Sequence, residues 1–297
     1  MQFLKFKNAV YKIYLELLVF DRKKRSVLKA RWAKKHLLKY VDAAIIRTSA
    51  AALAAETVND RKIIWQYWHQ GVENAPELIK KCLASVKHFN PDYEVKVLTF
   101  ETIEDYVSLP QRYYDLLARG KMKTALFSDI LRLYLLRQYG GIWIDATIML
   151  TAPLPPDIFE SEFMVMQKDV KTDLSENIMS CFLIRSRSDS LFLELIKQTL
   201  ECYWRDNDFV INYFMFEHIA TMLALYSSEL TAKWNSMPYY SAEDAGILQQ
   251  NLFLPFDIER FEKIKQKISI HKLTHKKLPP AAVQATFYHH LTGGDDL

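Results

Sequence analysis

Apolar and polar positions follow two different patterns along the chain, and the change falls near residue 60. In the first twenty residues the apolar side chains recur at spacings of three and four, the pattern of an amphipathic helix: Phe3, Phe6, Val10, Ile13, Leu17 and Phe20. Beyond residue 60, short apolar runs alternate with segments of helical periodicity. This alternation is typical of an α/β fold with a mostly parallel sheet flanked by helices. We therefore predict a basic amphipathic helical extension over residues 1–60 and an α/β domain over residues 61–297.

The predicted elements of the α/β domain are short and closely spaced. The strands are expected at residues 63–67, 94–98, 142–150, 163–167 and 181–185. Helices are expected after Pro76 and over residues 110–119, 124–139, 189–204 and 209–226.

The segment from residue 124 to residue 147 has the most informative pattern. A helix carrying Asp129 and Arg132 one turn apart leads into two glycines and a short apolar strand, and Asp145 follows this strand. A carboxylate just past the end of a buried strand lies where open α/β sheets bind their ligands. Alternatively, Asp129 and Arg132 form only a local surface ion pair, worth about 0.3–0.5 kcal/mol. The helix is apolar on its other sides, which favours burial of both residues.

The charge chemistry of this segment limits the possible reactions. Transfer of a sugar from a nucleotide-sugar needs a cation near the departing diphosphate, either a metal ion or an Arg or Lys. The chain offers Arg132 and a late basic cluster, which consists of His271, Lys272, His275, Lys276 and Lys277. It contains only 7 Gly and none of the motifs GxGxxG, Walker A, HExxH or GxSxG. This absence disfavours dehydrogenases, P-loop enzymes, zincins and α/β-hydrolases.

These motifs together resemble the sugar-nucleotide-binding core of glycosyltransferase family 32 and, more closely, of the related capsular polysaccharide synthesis proteins. The resemblance covers roughly residues 60–276. It rests on the run at residues 62–71, on Ser128-Asp129-x-x-Arg132, on Gly140-Gly141 and on the DXD-like Asp145-Ala146-Thr147. It implies a GT-A-type, Rossmann-like fold and a glycosyltransferase of the hexosyltransferase type that retains the anomeric configuration.

The resemblance also implies roles for individual residues. Asp129 and Arg132, with Ser128, would bind donor hydroxyls, and Asp145 would contact the donor and a divalent cation, Mn²⁺ or Mg²⁺. Thr147 stands where DXD has its second Asp, and a neutral hydroxyl is a poor replacement for an anionic metal ligand. The remaining candidates are Trp68 or Trp65 to stack on the nucleobase, Asn177 to line the donor site, and His271 as a further metal or phosphate ligand. Each has a structural alternative: core packing for the tryptophans, a loop amide for Asn177 and a satisfied structural imidazole for His271.

The N-terminal segment is strongly basic. Residues 1–62 hold 15 Lys and Arg against 5 Asp and Glu, whereas the rest of the chain holds 24 against 30. An apolar stripe beside a basic cluster is typical of a helix that lies on anionic lipid, here within residues 1–47. The same stripe would equally suit packing on the catalytic domain or dimerisation. Nucleic acid is a less suitable partner, because no aromatic stacking platform accompanies the charges.

We expect a protein of a reducing, cytoplasmic compartment that is peripheral on the inner face of the membrane. The sequence has no long apolar run, and the odd set Cys82, Cys181 and Cys202 has no pairing motif. The favoured function is sugar transfer from a nucleotide-sugar to a glycan or lipid-linked acceptor in capsule or surface polysaccharide synthesis. Two alternatives stay open: a non-catalytic sugar-nucleotide or polysaccharide-binding protein, and a membrane-surface assembly factor.

Overall fold

The computed structural model describes residues 2–50, 58–169, 176–276 and 285–293. The strands are β1 Ile63–Tyr67, β2 Glu94–Leu98, β3 Gly141–Ile144, β4 Ile148–Leu150, β5 Phe163–Gln167, β6 Met179–Ser186 and β7 Ile270–Lys272. The helices before β6 are α1 Gln2–Leu18, α2 Arg22–Ala50, α3 Glu77–Phe89, α4 Gln111–Ala118, α5 Thr124–Tyr139 and α6 Pro156–Glu160. Those after it are α7 Leu191–Asp206, α8 Met215–Ala224, α9 Ser228–Asn235, α10 Ala242–Ala245, α11 Ile247–Asn251, α12 Ile258–Lys267 and α13 Phe287–Gly293.

The central sheet confirms the predicted α/β class. Its five strands follow the order β2-β1-β3-β6-β5. Strands β2, β1 and β3 are parallel, β6 is antiparallel to β3, and β5 is antiparallel to β6. Four of the five strands therefore run in one direction, and β6 alone among them runs against it. A second sheet of two antiparallel strands, β4 and β7, follows the end of β3.

Helices cover both faces of the central sheet, because successive side chains of each strand point to opposite faces. In β1, Trp65 and Tyr67 contribute to a core formed with α2, α5, α7 and α8. Ile64 contributes to the core on the other face, with Leu183 of β6 and Met164 of β5. Burial on both faces explains why the strands read as nearly continuous apolar runs.

Gly140 and Gly141 join α5 to β3 beside the start of β1. Both have a positive φ, 68° and 96°, which L side chains rarely adopt. A Cβ on Gly140 would lie 2.5 Å from the carbonyl oxygen of Asn59, and a Cβ on Gly141 would lie 2.5 Å from that of Ile63. The pair therefore permits the sharp turn that places the end of β3 next to the end of β1.

The two N-terminal helices differ in how they meet the rest of the protein. Helix α2 packs against α7 and α8 and buries Leu37, Val41 and Ala44 in the same core as the sheet. Helix α1 instead turns Asn8 and Leu15 inward, and its apolar stripe faces solvent. Phe3, Phe6 and Leu17 in this stripe are 66–69% exposed. Within the described ranges, no helix is long and apolar enough to cross a membrane.

Two boundaries differ from the sequence predictions. The strand predicted over residues 142–150 is two strands in different sheets, β3 and β4, because the chain turns at Asp145–Thr147. The helix predicted over residues 209–226 begins only at Met215. Most of the expected boundary between extension and domain, residues 51–57, lies outside the described residues, as does Lys277 of the basic cluster.

Candidate functional site

Asp145 lies at the carboxyl end of β3, at the point where the chain leaves the central sheet for the second sheet. Its backbone N–H donates to the carbonyl of Phe182 on β6. Its side chain is 25% exposed. The indole N–H of Trp143, two residues earlier on the same face of β3, donates to Asp145 Oδ1 at 2.9 Å. These two hydrogen bonds within the sheet orient the carboxylate independently of its charged partners.

Two cations hold Asp145 from opposite sides. Arg132 on α5 is 3.4 Å from Oδ1, and Lys272 on β7 donates to Oδ2 at 2.7 Å. Burial alone would raise the pKa of Asp145. The positive charge of Lys272, and to a smaller extent that of Arg132, lowers this pKa below its ordinary value. The carboxylate is therefore ionised at neutral pH.

Arg132 is the central polar residue beneath this carboxylate. Its guanidinium donates to the carbonyl oxygen of Cys181 at 2.6 Å, and to the carbonyl and hydroxyl oxygens of Ser128 at 3.2 Å each. It also pairs with Asp129 at 3.0 Å, and its side chain is 3% exposed. Because its donors are used within the protein, Arg132 orients Asp145 from behind.

Two further carboxyl groups lie buried near Arg132. Burial raises the pKa of Asp129 to about 7 against the pull of Arg132, and it also raises the pKa of Glu217 on α8. The Cys181 thiol lies between them, 3.4 Å from Glu217 Oε1 and 4.0 Å from Asp129 Oδ1. The cluster thus combines one carboxylate with a lowered pKa, two buried carboxyl groups with raised pKa values, and two cations.

The pKa of Asp129 predicts how stability changes with pH. The unfolded chain ionises Asp129 near its ordinary pKa of 3.8, whereas the folded protein keeps the proton until about pH 7. The folded state binds more protons in this window, so the free energy of unfolding falls as pH rises from about 4 to about 7. We expect Asp129→Asn to gain stability relative to wild type across this window by a few kcal/mol, since one pKa unit corresponds to about 1.4 kcal/mol.

Urea unfolding at pH 4, 5.5, 7 and 8 measures this difference. Asp206→Asn is the matched control, because Asp206 is 44% exposed and pairs only with its neighbour Arg205 among the ion pairs of the described residues. Parallel pH profiles for wild type and Asp129→Asn would contradict the pKa assignment.

A cleft of about 260 Å³ opens beside Asp145. The loop after β1 supplies one wall and the start of α5 supplies another. The polar or aromatic side chains that line it are Tyr67, Trp68, His69, Gln70, Thr124, Ser128, Trp143, Asp145, Thr147 and His275. Trp68 and His275 meet edge to face, with ring centroids 5.2 Å apart. The cleft therefore combines an aromatic wall with hydroxyl groups and one carboxylate, which suits a ligand with a flat ring and several hydroxyls.

The structure brings together most of the residues predicted for the site. Asp145, Ser128, Thr147 and Trp68 line the cleft. Asp129 and Arg132 lie directly behind it, so the geometry favours orientation of Asp145 over the expected direct contacts with donor hydroxyls.

Three predicted site residues lie elsewhere. Trp65 is in the core, where its indole N–H donates to the carbonyl of Gly140 at 3.2 Å. Asn177 is buried and bonds His218 at 2.8 Å. His271 is buried and its Nε2 bonds the Thr151 hydroxyl at 3.0 Å. The donor-binding roles expected of Trp65 and Asn177, and the metal-binding role expected of His271, are therefore corrected to structural ones.

Sequence reasoning missed the specific importance of Lys272 and Glu217. Lys272 was visible only as one member of a basic cluster. The available signal was strand alternation: adjacent residues of β7 point to opposite faces, so either His271 or Lys272, not both, faces Asp145. Glu217 is an isolated acid within an apolar helix, which is a signal of the same kind as Asp129 on α5.

The donor set does not fit a divalent cation. Both Asp145 oxygens accept N–H bonds, and the Thr147 hydroxyl accepts one from Lys272 at 2.6 Å. In the described part of the chain, no group of three or more His, Cys, Asp and Glu side chains could hold a metal ion. Mg²⁺ and Mn²⁺ need several oxygen ligands at once, and this arrangement offers a lysine in their place.

The chain is similar in sequence to one protein family and to two curated glycosyltransferases. The family model described as capsular polysaccharide synthesis protein matches residues 16–291. The O-glycosyltransferase braB of Annulohypoxylon truncatum is 31% identical over 98 residues, which cover 30% of this chain and 23% of the relative. Glycosyltransferase afumC of Aspergillus fumigatus (strain CBS 144.89 / FGSC A1163 / CEA10) is 29% identical over 103 residues, which cover 32% of this chain and 26% of the relative.

The chain thus spans about a quarter of the length of these curated relatives. Among solved structures, PaToxG glycosyltransferase is similar with a TM-score of 0.43 and 15% identity, over 71% of this chain and 85% of that one.

Proposed function

The chain belongs to the capsular polysaccharide synthesis protein family, and from this premise we propose that it is a glycosyltransferase whose donor site is the cleft beside Asp145. The reaction would move a sugar, of the hexose class, from a nucleotide-sugar to a glycan or lipid-linked acceptor. The observation that carries the proposal is the ionised Asp145 at the end of β3, held between two cations and open to an aromatic, hydroxyl-lined cleft.

The arrangement suggests a role for each part of the cleft. Trp68 offers a ring face to the nucleobase, and its indole nitrogen is buried with no hydrogen-bond partner among the described residues. Ser128 and Thr147 offer hydroxyls to the sugar and ribose. Asp145 accepts hydrogen bonds from donor hydroxyls, while Arg132 and Lys272 fix its position. The cleft is small for a whole nucleotide-sugar. The part of the donor that faces the acceptor therefore extends beyond the cleft.

Donor turnover tests this proposal. Purified protein is incubated with UDP-, GDP-, CMP- and dTDP-sugars, and released nucleotide is quantified with and without a lipid-linked glycan acceptor. We expect turnover of one donor class, and Asp145→Asn should slow it by about 100- to 1,000-fold. Binding of a donor without turnover under any acceptor condition would instead support the non-catalytic binding protein. The anomeric proton signal of the first product formed tests the retention expected from the family resemblance.

We propose in addition that the exposed stripe of α1 binds an anionic membrane surface, which would bring the site close to a lipid-linked acceptor. The stripe presents Phe6 and Ile13, 66% and 59% exposed, and Phe20, 88% exposed, follows α1. The exposed cations Arg22, Lys23 and Lys24 come next in the chain. Apolar side chains beside a cationic cluster are complementary to anionic headgroups over acyl chains.

Vesicle co-sedimentation measures this association. Full-length protein is expected to bind vesicles containing phosphatidylglycerol and not vesicles of phosphatidylcholine alone. The double variant Phe6→Glu/Ile13→Glu is expected to bind at least about 100-fold more weakly, because two buried side chains together contribute about 3–6 kcal/mol. Ile258→Glu is the matched control, since Ile258 is 57% exposed on α12. Equal binding of both variants, or a dimer in solution that the double variant dissociates, would contradict the membrane proposal.

A further inference from the structure

Lys272 occupies the centre of the DXD-like motif. Its ammonium nitrogen is 2.7 Å from Asp145 Oδ2 and 2.6 Å from Thr147 Oγ1. These are the first and third residues of Asp145-Ala146-Thr147, the two positions whose oxygens face each other across the turn between β3 and β4. The ammonium therefore bridges the oxygens between which a cation would have to lie.

We propose that Lys272 is the fixed counter-charge for the donor diphosphate and that it replaces a divalent metal ion at this site. This inference rests on the proposed function, because it specifies how the same cleft would hold a nucleoside diphosphate. It makes donor binding independent of Mn²⁺ and Mg²⁺.

The backbone positions Lys272 for this role. Strand β7 pairs with β4 so that Lys272 lies opposite Ile148, next to Thr147. The N–H of Leu273 donates to the carbonyl of Thr147 at 2.9 Å, which ties the end of β7 to the motif. The ammonium also lies 5.4 Å from the centre of the Phe182 ring. The lysine is therefore held by the sheet and is not a mobile surface side chain.

The neutral residue at position 147 is the natural partner of a lysine. The Thr147 hydroxyl accepts a hydrogen bond from the ammonium without adding negative charge. A second aspartate there would place two carboxylates on one ammonium and leave the site repulsive to a diphosphate. Two cations, Arg132 and Lys272, contact the one carboxylate of the motif, Asp145. A phosphate oxygen can therefore approach Lys272 without meeting a second carboxylate of the motif.

Lys272 can also reach a ligand. Its side chain is 32% exposed, and its ammonium contacts Asp145 and Thr147, which line the cleft. An ammonium has three N–H donors, and Asp145 and Thr147 take two of them in the described structure. The third can donate to a phosphate oxygen, and charge-assisted bonds of this kind are among the stronger ones in proteins.

Calorimetry with UDP, GDP, CDP and dTDP tests the inference without relying on turnover. Each nucleotide is titrated into wild type, Lys272→Met, Lys272→Arg and the control Lys267→Met, in EDTA and again in Mn²⁺. Lys267 is 54% exposed and pairs with Asp244, so its loss removes a charge of the same kind outside the cleft. A parallel titration follows the electron paramagnetic resonance signal of Mn²⁺ alone with wild type and Asp145→Asn.

The inference predicts that one nucleotide binds wild type equally in EDTA and in Mn²⁺. Lys272→Met should weaken this binding about 10- to 100-fold, Lys272→Arg should restore part of it, and Lys267→Met should leave it unchanged. Mn²⁺ alone should show no Asp145-dependent binding. Nucleotide binding that requires Mn²⁺, or unchanged binding by Lys272→Met, would overturn the role of Lys272 but keep the donor site. Absence of binding by every nucleotide in both conditions would overturn the donor site as well.

Discussion

Asp145→Asn is expected to slow sugar transfer by about 100- to 1,000-fold, the usual consequence of removing one preorganised electrostatic group from an active site. The substitution keeps the shape of the side chain but removes the charge that Arg132 and Lys272 hold in place. It also takes away an acceptor for donor hydroxyls at the mouth of the cleft. The fold should persist, because the side chain is 25% exposed and Lys272 keeps its hydrogen bond to the Thr147 hydroxyl.

Steady-state transfer rates and urea unfolding of wild type and Asp145→Asn measure the two effects separately. Asp206→Asn, which changes an exposed aspartate to the same amide, is expected to match wild type in both. Transfer by Asp145→Asn at the wild-type rate would show that the reaction takes place elsewhere. Loss of transfer together with a lost unfolding transition would show that Asp145 serves the fold.

Arg132→Met is expected to produce the largest loss of stability, about 3–5 kcal/mol, because removal of one partner leaves buried charge uncompensated. Arg132 is 3% exposed and contacts Asp129 and Asp145 together with oxygens of Ser128 and Cys181. Methionine fills a similar volume but donates no hydrogen bond. The carbonyl of Cys181 then loses its donor, and Asp129 and Asp145 lose a counter-charge.

A double-variant cycle separates lost charge compensation from lost packing. Above about pH 7, Asp129→Asn added to Arg132→Met should recover part of the stability, because loss of Arg132 increases the cost of burying the Asp129 carboxyl. Arg205→Met is the control, since Arg205 is 56% exposed and exposed ion pairs contribute about 0–1 kcal/mol. A loss below about 1 kcal/mol in Arg132→Met, on the scale of such exposed pairs, would contradict the central role of this guanidinium beneath the site.

The local features of the site could be predicted from the sequence. The apolar periodicity of α5, its end at Gly140 and the position of Asp145 after β3 are all consequences of neighbouring residues, and the structure confirms them. The isolated charges of Asp129 and Arg132 in an apolar helix also predicted their burial correctly. Each of these inferences needed only spacing along a single element.

Features that depend on which face meets which neighbour could not be predicted. Trp65 and Trp68 are only three residues apart, but Trp65 lies within β1 and belongs to the core, whereas Trp68 follows β1 and lies at the cleft. His271 and Lys272 differ by one residue, and the pairing of β7 with β4 alone decides that the lysine faces Asp145. A shift of one residue in register reverses every side chain of a strand, and the sequence does not contain this register.

The N-terminal stripe illustrates the same difficulty on a helix. Its periodicity predicted an amphipathic helix, and α1 forms, but the stripe is not the surface that packs on the protein. Asn8 and Leu15 face inward, and α2 supplies the buried contacts to α7 and α8 through Leu37 and its neighbours. An apolar helix face indicates that the helix packs against another apolar surface. The sequence pattern does not identify that surface.

The central claim is that the cleft beside Asp145 binds a nucleotide-sugar. Calorimetric titration of UDP-, GDP-, CMP- and dTDP-sugars into wild type and Asp145→Asn tests it most directly. We expect one donor class to bind wild type with a Kd in the range of about 1 μM to 1 mM, typical of enzyme substrates, and to bind Asp145→Asn at least about tenfold more weakly, a loss of about 1.4 kcal/mol. Equal affinity for both proteins, or binding of no donor to wild type, would contradict the claim.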